Sequence, residues 1–344
     1  MRIRRAYPIT LAVVIVAAAV TVAVQLRKNA PPEPARLLPG ADAFFYADFG
    51  WVRKILTKPL PAVSHDPEYE RFIQESGIDF ERDLDAVAFA VHYPTNQPFH
   101  AEGEPRFSEV LVGKFDGQKL AEYLKHVAQS VESYNSVEIY SIPVEDRTFR
   151  VAILGVDSVA ASNHDDQAVI RGIVDRSRRL ASPFGGPALL RHYYKQVQLA
   201  SPIWLVGRID PGSPEFGGWS DFLAKPADVV ISASYSPFHL PLRTSVLHVR
   251  AEAWTASADD ARSLSDKVGT FLAMFRSAET SVGSPGSDAD LKALFDSLHV
   301  RQEGSRAVLY AIVPTAVLRK ALESPGPLPP ASPAVAPGQP GRAH

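Results

Sequence analysis

Four consecutive polar residues, Asn163 to Asp166, place one imidazole and two carboxylates side by side. Carboxylate and imidazole groups bind divalent cations, so this group could hold a metal ion. The same residue types at the start of a helix accept hydrogen bonds from free backbone N–H groups, and acids there meet the favourable end of the helix dipole. We therefore predict a helix cap at these residues and no metal site.

The sequence lacks the short motifs that carry catalysis or cofactor binding in many enzymes. It has no Gly-x-Ser-x-Gly elbow, no glycine-rich phosphate or dinucleotide loop, no Ser-x-x-Lys and no His-Glu-x-x-His. It also has no cysteine, which excludes disulfides, thiolate metal sites and thiol nucleophiles. A serine hydrolase could still assemble its triad from distant residues. We expect no cofactor and assign no catalytic residue.

One group of basic residues interrupts the acidic body of the chain. It consists of Arg171, Arg176, Arg178, Arg179, Arg191 and Lys195. Clustered positive charge attracts an anionic surface within a Debye length, so the group could contact anionic lipid headgroups or an acidic partner protein. The alternative is a solvated helix face. We take these six residues as the candidate interaction patch.

The net charge of −2 conceals an uneven distribution. The first 28 residues contain five basic residues and no acid, so the rest of the chain carries −7. Nucleic-acid binding depends on a basic surface that neutralises phosphates, which an acidic body does not offer. We expect no nucleic-acid partner.

An apolar stretch of nineteen residues runs from Pro8 to Leu26. As a helix it would be roughly 28 Å long, enough to cross a bilayer. The arginines that precede it predict a cytoplasmic N-terminus, and thus a single-pass inner-membrane protein with its bulk in the bacterial periplasm. The alternative is a signal peptide cleaved near Ala17 to Ala19. Either interpretation exports the remaining chain.

Proline-rich segments border the exported part. Residues 29–38, after the anchor segment 1–28, contain NAPPEPAR, which predicts an extended spacer. Residues 324–344 are proline-rich and carry almost no charge, which predicts a disordered tail.

Similar patterns occur twice between these segments. AFFYADF and DAVAFAVHYP of the first copy (residues 39–197) correspond to PIWLVGRID and DVVISASYSP of the second (residues 198–323). A helix follows in each copy. In the first, Leu120, Leu124, Val127 and Val131 fall on one helix face, and in the second Ser257 is the expected cap. The pattern predicts an α+β fold of two repeated, mainly antiparallel units with helices packed on one sheet face, preceded by one transmembrane helix.

Three segments of the chain resemble a group of uncharacterised bacterial membrane-anchored envelope proteins of unknown function. They are LLPGADAFFYADFGWVRK, GIDFERDLDAVAFAV and VAILGVDSVAASNHDDQAVIRGIVD. The resemblance implies export and a duplicated α+β domain, and it implies no activity.

These observations together favour a binding function over catalysis. We expect a non-catalytic binding or scaffold protein of the cell envelope, with the membrane, an envelope protein or an anionic lipid as partner. Two alternatives stay open: an extracytoplasmic hydrolase whose pocket joins a histidine to a carboxylate, and a carrier of lipid or another apolar ligand.

Overall fold

The computed structural model of the chain describes residues 30–55, 67–93, 104–178, 186–212, 218, 221–239, 244–281 and 289–323. The expected membrane anchor (residues 1–28) and the expected tail (residues 324–344) lie outside these ranges. Among the helices within them, none has both the length and the apolar composition needed to cross a bilayer.

One sheet of twelve strands runs through the described residues. The strands are β1 (Ala43–Asp48), β2 (Leu84–His92), β3 (Arg106–Gly113), β4 (Ser130–Tyr134), β5 (Val137–Val144), β6 (Arg147–Ile153), β7 (Ser158–Ser162), β8 (Ile203–Ile209), β9 (Ala227–His239), β10 (Thr244–Trp254), β11 (His299–Glu303) and β12 (Arg306–Pro314). Their order is β11-β12-β10-β9-β8-β1-β2-β3-β7-β6-β5-β4, and every neighbouring pair is antiparallel. The predicted mixed fold with an antiparallel sheet is confirmed.

The two halves of the chain share this sheet through the antiparallel pair β1–β8. Outward from that pair, the strand order is β2, β3, β7, β6 in the first half and β9, β10, β12, β11 in the second. The two orders correspond strand for strand, with β5 and β4 added at the edge of the first half.

The helices lie between and beyond the strands in the chain. They are α1 (Glu33–Leu37), α2 (Phe49–Ile55), α3 (Pro67–Ser76), α4 (Phe80–Asp83), α5 (Gly117–Val127), α6 (Ala168–Arg178), α7 (Ala188–Tyr193), α8 (Ala258–Ser281), α9 (Ala289–Ser297) and α10 (Thr315–Glu323), with a 3₁₀ turn at Tyr194–Gln196. Ser257 caps α8 as predicted, since its Oγ accepts a hydrogen bond from the Asp260 N–H at 3.1 Å.

Helices pack on both faces of the sheet, so the expectation that they occupy one face is wrong. We name the two faces after neighbouring residues of β1, the Phe44 face and the Phe45 face. Helices α1, α6 and α7 bury their apolar side chains with Phe44. Helices α3 to α5 pack on the Phe45 face in the first half, and α8 does so in the second.

The reason for two helical layers lies in the strands themselves. Ile139 and Tyr140 are successive residues of β5, yet both are buried, one in each layer. Successive strand residues point to opposite faces, so a strand whose even and odd positions are both apolar needs cover on both sides.

Residues 33–38 correct the expected extended spacer. Glu33–Leu37 is helix α1, and Ala35, Leu37 and Leu38 belong to the main core cluster. Pro34 is compatible with this short helix because proline is tolerated in the first helical turn, where its missing N–H has no partner to lose. The sheet domain therefore begins at the position where a tether was expected.

Candidate functional site

The Phe45 face carries a continuous row of side chains that extends across eight strands. In strand order from β3 to β11, the row is Glu109, Phe89, Phe45, Leu205, Ile231, Ala251, Leu309 and Val300. Phe45 is 36% exposed and Ile231 is 37% exposed, and the other six are incompletely buried. Seven of the eight residues are apolar, so the row forms an apolar strip that is most exposed near its centre, at Phe45 and Ile231. Its Val300 end lies beside Gly269 of α8.

The adjacent row on the opposite face is sealed. Phe44, Val206, Val230 and Val308 are at most 1% exposed, although they neighbour Phe45, Leu205, Ile231 and Leu309 in the chain. The difference comes from the helices, since α1, α6 and α7 cover the centre of the Phe44 face. On the Phe45 face, α3 to α5 pack beyond the β3 end of the row, on Tyr140 and Val151, and α8 packs at its β11 end, beside Val300. Contiguous exposed apolar surface on a globular domain is typical of interaction sites, so this strip is the candidate surface.

Glu109 stands at one end of the row, beside aromatic rings. Its Cα is the register partner of Phe89, whose ring centroid lies 5.2 Å from that of Phe107. Burial raises the pKa of the Glu109 carboxyl above its ordinary value. In the described part of the chain, this carboxyl has no hydrogen-bond or ion-pair partner, so it offers one polar group to whatever covers the row.

A separate polar cleft of about 500 Å³ opens where α7 packs beside β8. Asp228 lines the cleft and joins two of its other side chains. The Asp228 carboxylate accepts a hydrogen bond from the Tyr193 hydroxyl at 2.7 Å and one from Arg208 Nε at 2.8 Å. Asp42 and His192 also line the cleft, so it joins a histidine to carboxylates, as the hydrolase alternative required.

The electrostatics of this cleft suit binding. Burial and the Asp228 carboxylate raise the pKa of Tyr193 to about 12, so the phenol stays protonated and donates its hydrogen bond. Both oxygens of Asp228 are engaged, Oδ1 by Arg208 and Oδ2 by Tyr193, which leaves it poorly placed to act as a base. The described residues that line the cleft include no serine, threonine or cysteine nucleophile. The cleft can hold a small polar ligand, and its geometry gives no support to acyl transfer.

A second histidine lies in a buried hydrogen-bonded chain on the Phe44 face. His92 Nε2 lies 3.1 Å from Ser108 Oγ, which lies 2.9 Å from Ser162 Oγ. Burial, with a smaller effect from His164, lowers the pKa of His92 to about 4. A serine–histidine pair could be nucleophilic, but Ser108 is fully buried and out of reach of a substrate. We interpret this chain as structural.

Ser108 of β3 is polar but lies on the buried Phe44 face, where its hydroxyl is satisfied within the His92 chain. Glu109, the next residue, lies on the Phe45 face.

A buried carboxylate bridges two arginines on the outer strands of the Phe44 face. Glu252 Oε1 lies 3.0 Å from Arg250 Nη2, and Glu252 Oε2 lies 2.8 Å from Arg306 Nη1. The Arg306 guanidinium also stacks on Trp254, 4.9 Å from its ring centroid. Burial raises the pKa of Glu252, and the two guanidiniums oppose that shift. The group joins β10 to β12, and we assign it a structural role.

The basic residues of the candidate interaction patch have different environments. Arg171 lies 2.6 Å from Glu132 Oε1 and over the Tyr134 ring, and Arg176 Nε donates to the Leu37 carbonyl oxygen at 2.6 Å. These two hold α6 to β4 and to α1.

The others are closer to solvent. Arg178 is exposed and donates to the Ser136 carbonyl oxygen at 3.0 Å, and Arg191 and Lys195 are exposed on α7 and the 3₁₀ turn. Arg179 lies outside the described residues.

Asn163 to Asp166 act as local hydrogen-bonding residues before α6. Asp166 Oδ1 accepts a hydrogen bond from the Ala168 N–H at 2.8 Å, so the predicted helix cap is confirmed. Asn163 Oδ1 accepts from the Phe107 N–H at 2.6 Å, and Asp165 pairs with Arg106. Within the described ranges, no set of three or more histidine or acidic side chains is arranged to hold a metal ion.

Sequence reasoning missed the cleft and the apolar row. Tyr193 and Arg208 are 35 and 20 residues from Asp228 in the chain, a spacing that matches no known motif. The apolar row could not be predicted because AFFYADF has apolar residues at both odd and even positions. Alternation of polar and apolar residues therefore could not show which face of the strand is exposed.

Comparison with known proteins finds distant structural similarity and no family. No family model matches the chain, and no curated protein matches it. Solved structures of TP0453 are similar to it at low identity. Crystal form III is 10% identical with a TM-score of 0.41, over 85% of this chain and 98% of that chain. Crystal form I is 9% identical with a TM-score of 0.39, over 85% of this chain and 97% of that chain. Similarity at this level assigns neither a family nor an activity to the chain.

Proposed function

We propose that this chain is a membrane-anchored protein of the bacterial cell envelope that binds another envelope protein on its Phe45 face. The observation that carries the proposal is the partly exposed apolar row, in which Phe45 and Ile231 are 36% and 37% exposed. Water-exposed apolar surface at the centre of a sheet is costly in a monomer, and a partner that covers it would remove that cost.

The shape of the row favours a protein over a lipid as the partner. The row crosses eight strands and is exposed at its centre without enclosing a pocket, whereas small apolar ligands are usually enclosed in pockets that bury most of their surface. Its one polar member, Glu109, would take a hydrogen-bond donor or a cation from the partner. An amphipathic protein segment supplies both an apolar surface and such a donor.

The proposal includes export and anchoring through residues 8–26, because their length and apolar character suit a spanning helix. It also includes an internal duplication. The matching strand orders on the two sides of β1–β8 support it. The residue match is looser, since Asp85 pairs with Arg53 whereas Asp228, its counterpart in sequence, binds Arg208 and Tyr193.

Site-specific photocrosslinking in cells tests the binding surface. The full chain would carry a benzophenone amino acid in place of Ile231, with a control in place of Val156, which is 91% exposed in the loop before β7. We expect a discrete protein adduct from position 231 that position 156 does not form. The substitution Phe45→Ser should lower its yield several-fold, and Val156→Ser should not.

Other adduct patterns would contradict the proposal. Identical adducts from positions 231 and 156 would reject the Phe45 face as a specific surface. An adduct with lipid alone would favour the apolar-ligand carrier, whose support is the same apolar row.

A further inference from the structure

The described part of the chain begins on the Phe44 face. Pro31 is buried, Ala35 and Leu38 are sealed in the core, and α1 packs on β2, β3 and α6. The polypeptide therefore enters the domain through the helical layer of one face, and the apolar row lies on the far side of the sheet.

The distance from this entry point to the proposed anchor is short. Pro31 follows Leu26, the end of the apolar stretch, by five residues in the chain. Fully extended, these five steps reach at most about 18 Å. If residues 8–26 cross the membrane as proposed above, the Phe44 face is held near the lipid surface and the Phe45 face is directed away from it.

Exposed positive charge lies on the same side of the sheet. Arg191 and Lys195 are exposed and four residues apart on the helical segment formed by α7 and the 3₁₀ turn, so they project to one side of it. Arg178 is exposed at the end of α6, with one nitrogen on the Ser136 carbonyl oxygen. Among the described residues of this side, the exposed acids include Glu33 in α1 and Asp165 and Asp166 before α6.

The chain segment that leads into α7 lies beside α1. Gly186, two residues before α7, packs against Arg36, since a Cβ at position 186 would lie 3.4 Å from the Arg36 Cα. Helix α7 thus starts beside α1. Its Leu190 packs in the core of the Phe44 face, and Arg191 and Lys195 are exposed. Basic residues next to a membrane anchor are attracted by anionic lipid headgroups.

We infer that the Phe44 face lies on the membrane surface, with Arg178, Arg191 and Lys195 against anionic lipid headgroups. This contact orients the domain so that the apolar row faces the periplasm, where a partner can reach it. The inference rests on the anchor of the proposed function. It differs from that proposal in assigning a second surface, with lipid as its partner.

The experiment uses the full chain in nanodiscs, with or without phosphatidylglycerol in a phosphatidylcholine bilayer. Because the sequence has no cysteine, one introduced cysteine can carry a fluorophore at a chosen position. The two positions are Leu199→Cys, after the 3₁₀ turn on the Phe44 face, and Met274→Cys on α8, which are 64% and 66% exposed. Quenching by headgroup-labelled lipid reports the proximity of each to the bilayer.

We expect several-fold stronger quenching at position 199 than at position 274, and an increase at position 199 when phosphatidylglycerol is present. The triple substitution Arg178→Gln, Arg191→Gln and Lys195→Gln should abolish that increase. The matched control replaces Lys119, Lys125 and Lys267, which are exposed on α5 and α8, with glutamine and should keep it.

Three outcomes would overturn the inference. Equal quenching at the two positions, or stronger quenching at position 274, would reject the orientation while leaving the anchor in place. A phosphatidylglycerol effect that survives the triple substitution would reject the role of the three basic residues. Release of the chain from the nanodisc would overturn both the inference and the anchor, whereas crosslinking at position 231 would still test the binding surface separately.

Discussion

Phe45 and Leu205 are register partners in the antiparallel pair β1–β8, at the junction of the two halves of the sheet. Both side chains remain partly exposed on the Phe45 face, whereas Phe44 and Val206, their chain neighbours and themselves register partners, are completely buried on the other. The same two strands thus separate a closed core from an open apolar surface. The Phe44 face of this strand pair contributes to the core, and we assign partner binding to its Phe45 face.

The close approach of Gly113 to a neighbouring backbone predicts a strong stability effect. A Cβ at position 113 would lie 2.3 Å from the Asp83 carbonyl oxygen, and the Gly113 N–H is fixed by its hydrogen bond to the Asp157 carbonyl oxygen. We expect Gly113→Ala to lower the free energy of unfolding by about 1–3 kcal/mol, as overpacking does. Urea denaturation measures this change.

The control is Gly117→Ala at the start of α5, where a Cβ meets nothing within 4 Å. It should leave stability unchanged or raise it by up to about 1 kcal/mol. Equal stability of the two variants would contradict the assigned contact.

The pairing of Glu252 with two arginines predicts a cost for its neutralisation. Glu252→Gln would remove the ion-pair partner of Arg250 and one of the two partners of Arg306, which keeps Glu303. Because burial already disfavours the Glu252 carboxylate, we expect a loss of only about 1–3 kcal/mol in the free energy of unfolding. Glu132→Gln is the matched control, because its pair with Arg171 is partly exposed and should contribute about 0–1 kcal/mol. Similar losses in chemical denaturation would show that burial of Glu252 does not set its contribution.

The lowered pKa of His92 predicts a dependence of stability on pH. The unfolded residue binds a proton near pH 6.5, whereas the folded residue stays neutral until about pH 4. The unfolded state therefore binds more protons in this window, and the His92 contribution to stability decreases as the pH falls through it. His92→Gln should flatten this part of the stability profile, and the exposed His126→Gln control should not. An NMR titration midpoint of His92 near 6.5 would reject the mechanism.

Some of the fold could be predicted because local patterns were sufficient. Leu120 and Leu124 are buried on α5 as their spacing predicted, and Ile170, Ile173 and Val174 are fully buried on α6. Val131 was assigned to the same α5 face, but the helix ends at Val127 and Val131 is an exposed residue of β4. Its spacing fits a helix, and tertiary pairing with β5 places it in a strand.

The rest depended on contacts between distant parts of the chain. A single sheet requires β1 to pair with β8, about 160 residues later, and no local pattern encodes that choice. The candidate surface could not be predicted for the same reason, since Phe45, Leu205 and Ile231 become neighbours only through the pairs β1–β8 and β8–β9.

The most direct test of the Phe45 face as a binding surface is the reactivity of an Ile231→Cys variant toward a membrane-impermeant maleimide. Reactivity is compared between cells whose outer membrane alone has been permeabilised and the purified chain. The Val156→Cys variant is the control, and the natural chain has no cysteine to interfere. We predict that Val156→Cys reacts equally in both settings, whereas Ile231→Cys reacts in the purified chain and is protected in cells by its partner. Equal reactivity of Ile231→Cys in cells and in the purified chain would contradict a covered Phe45 face, and failure of Val156→Cys to react in cells would contradict export.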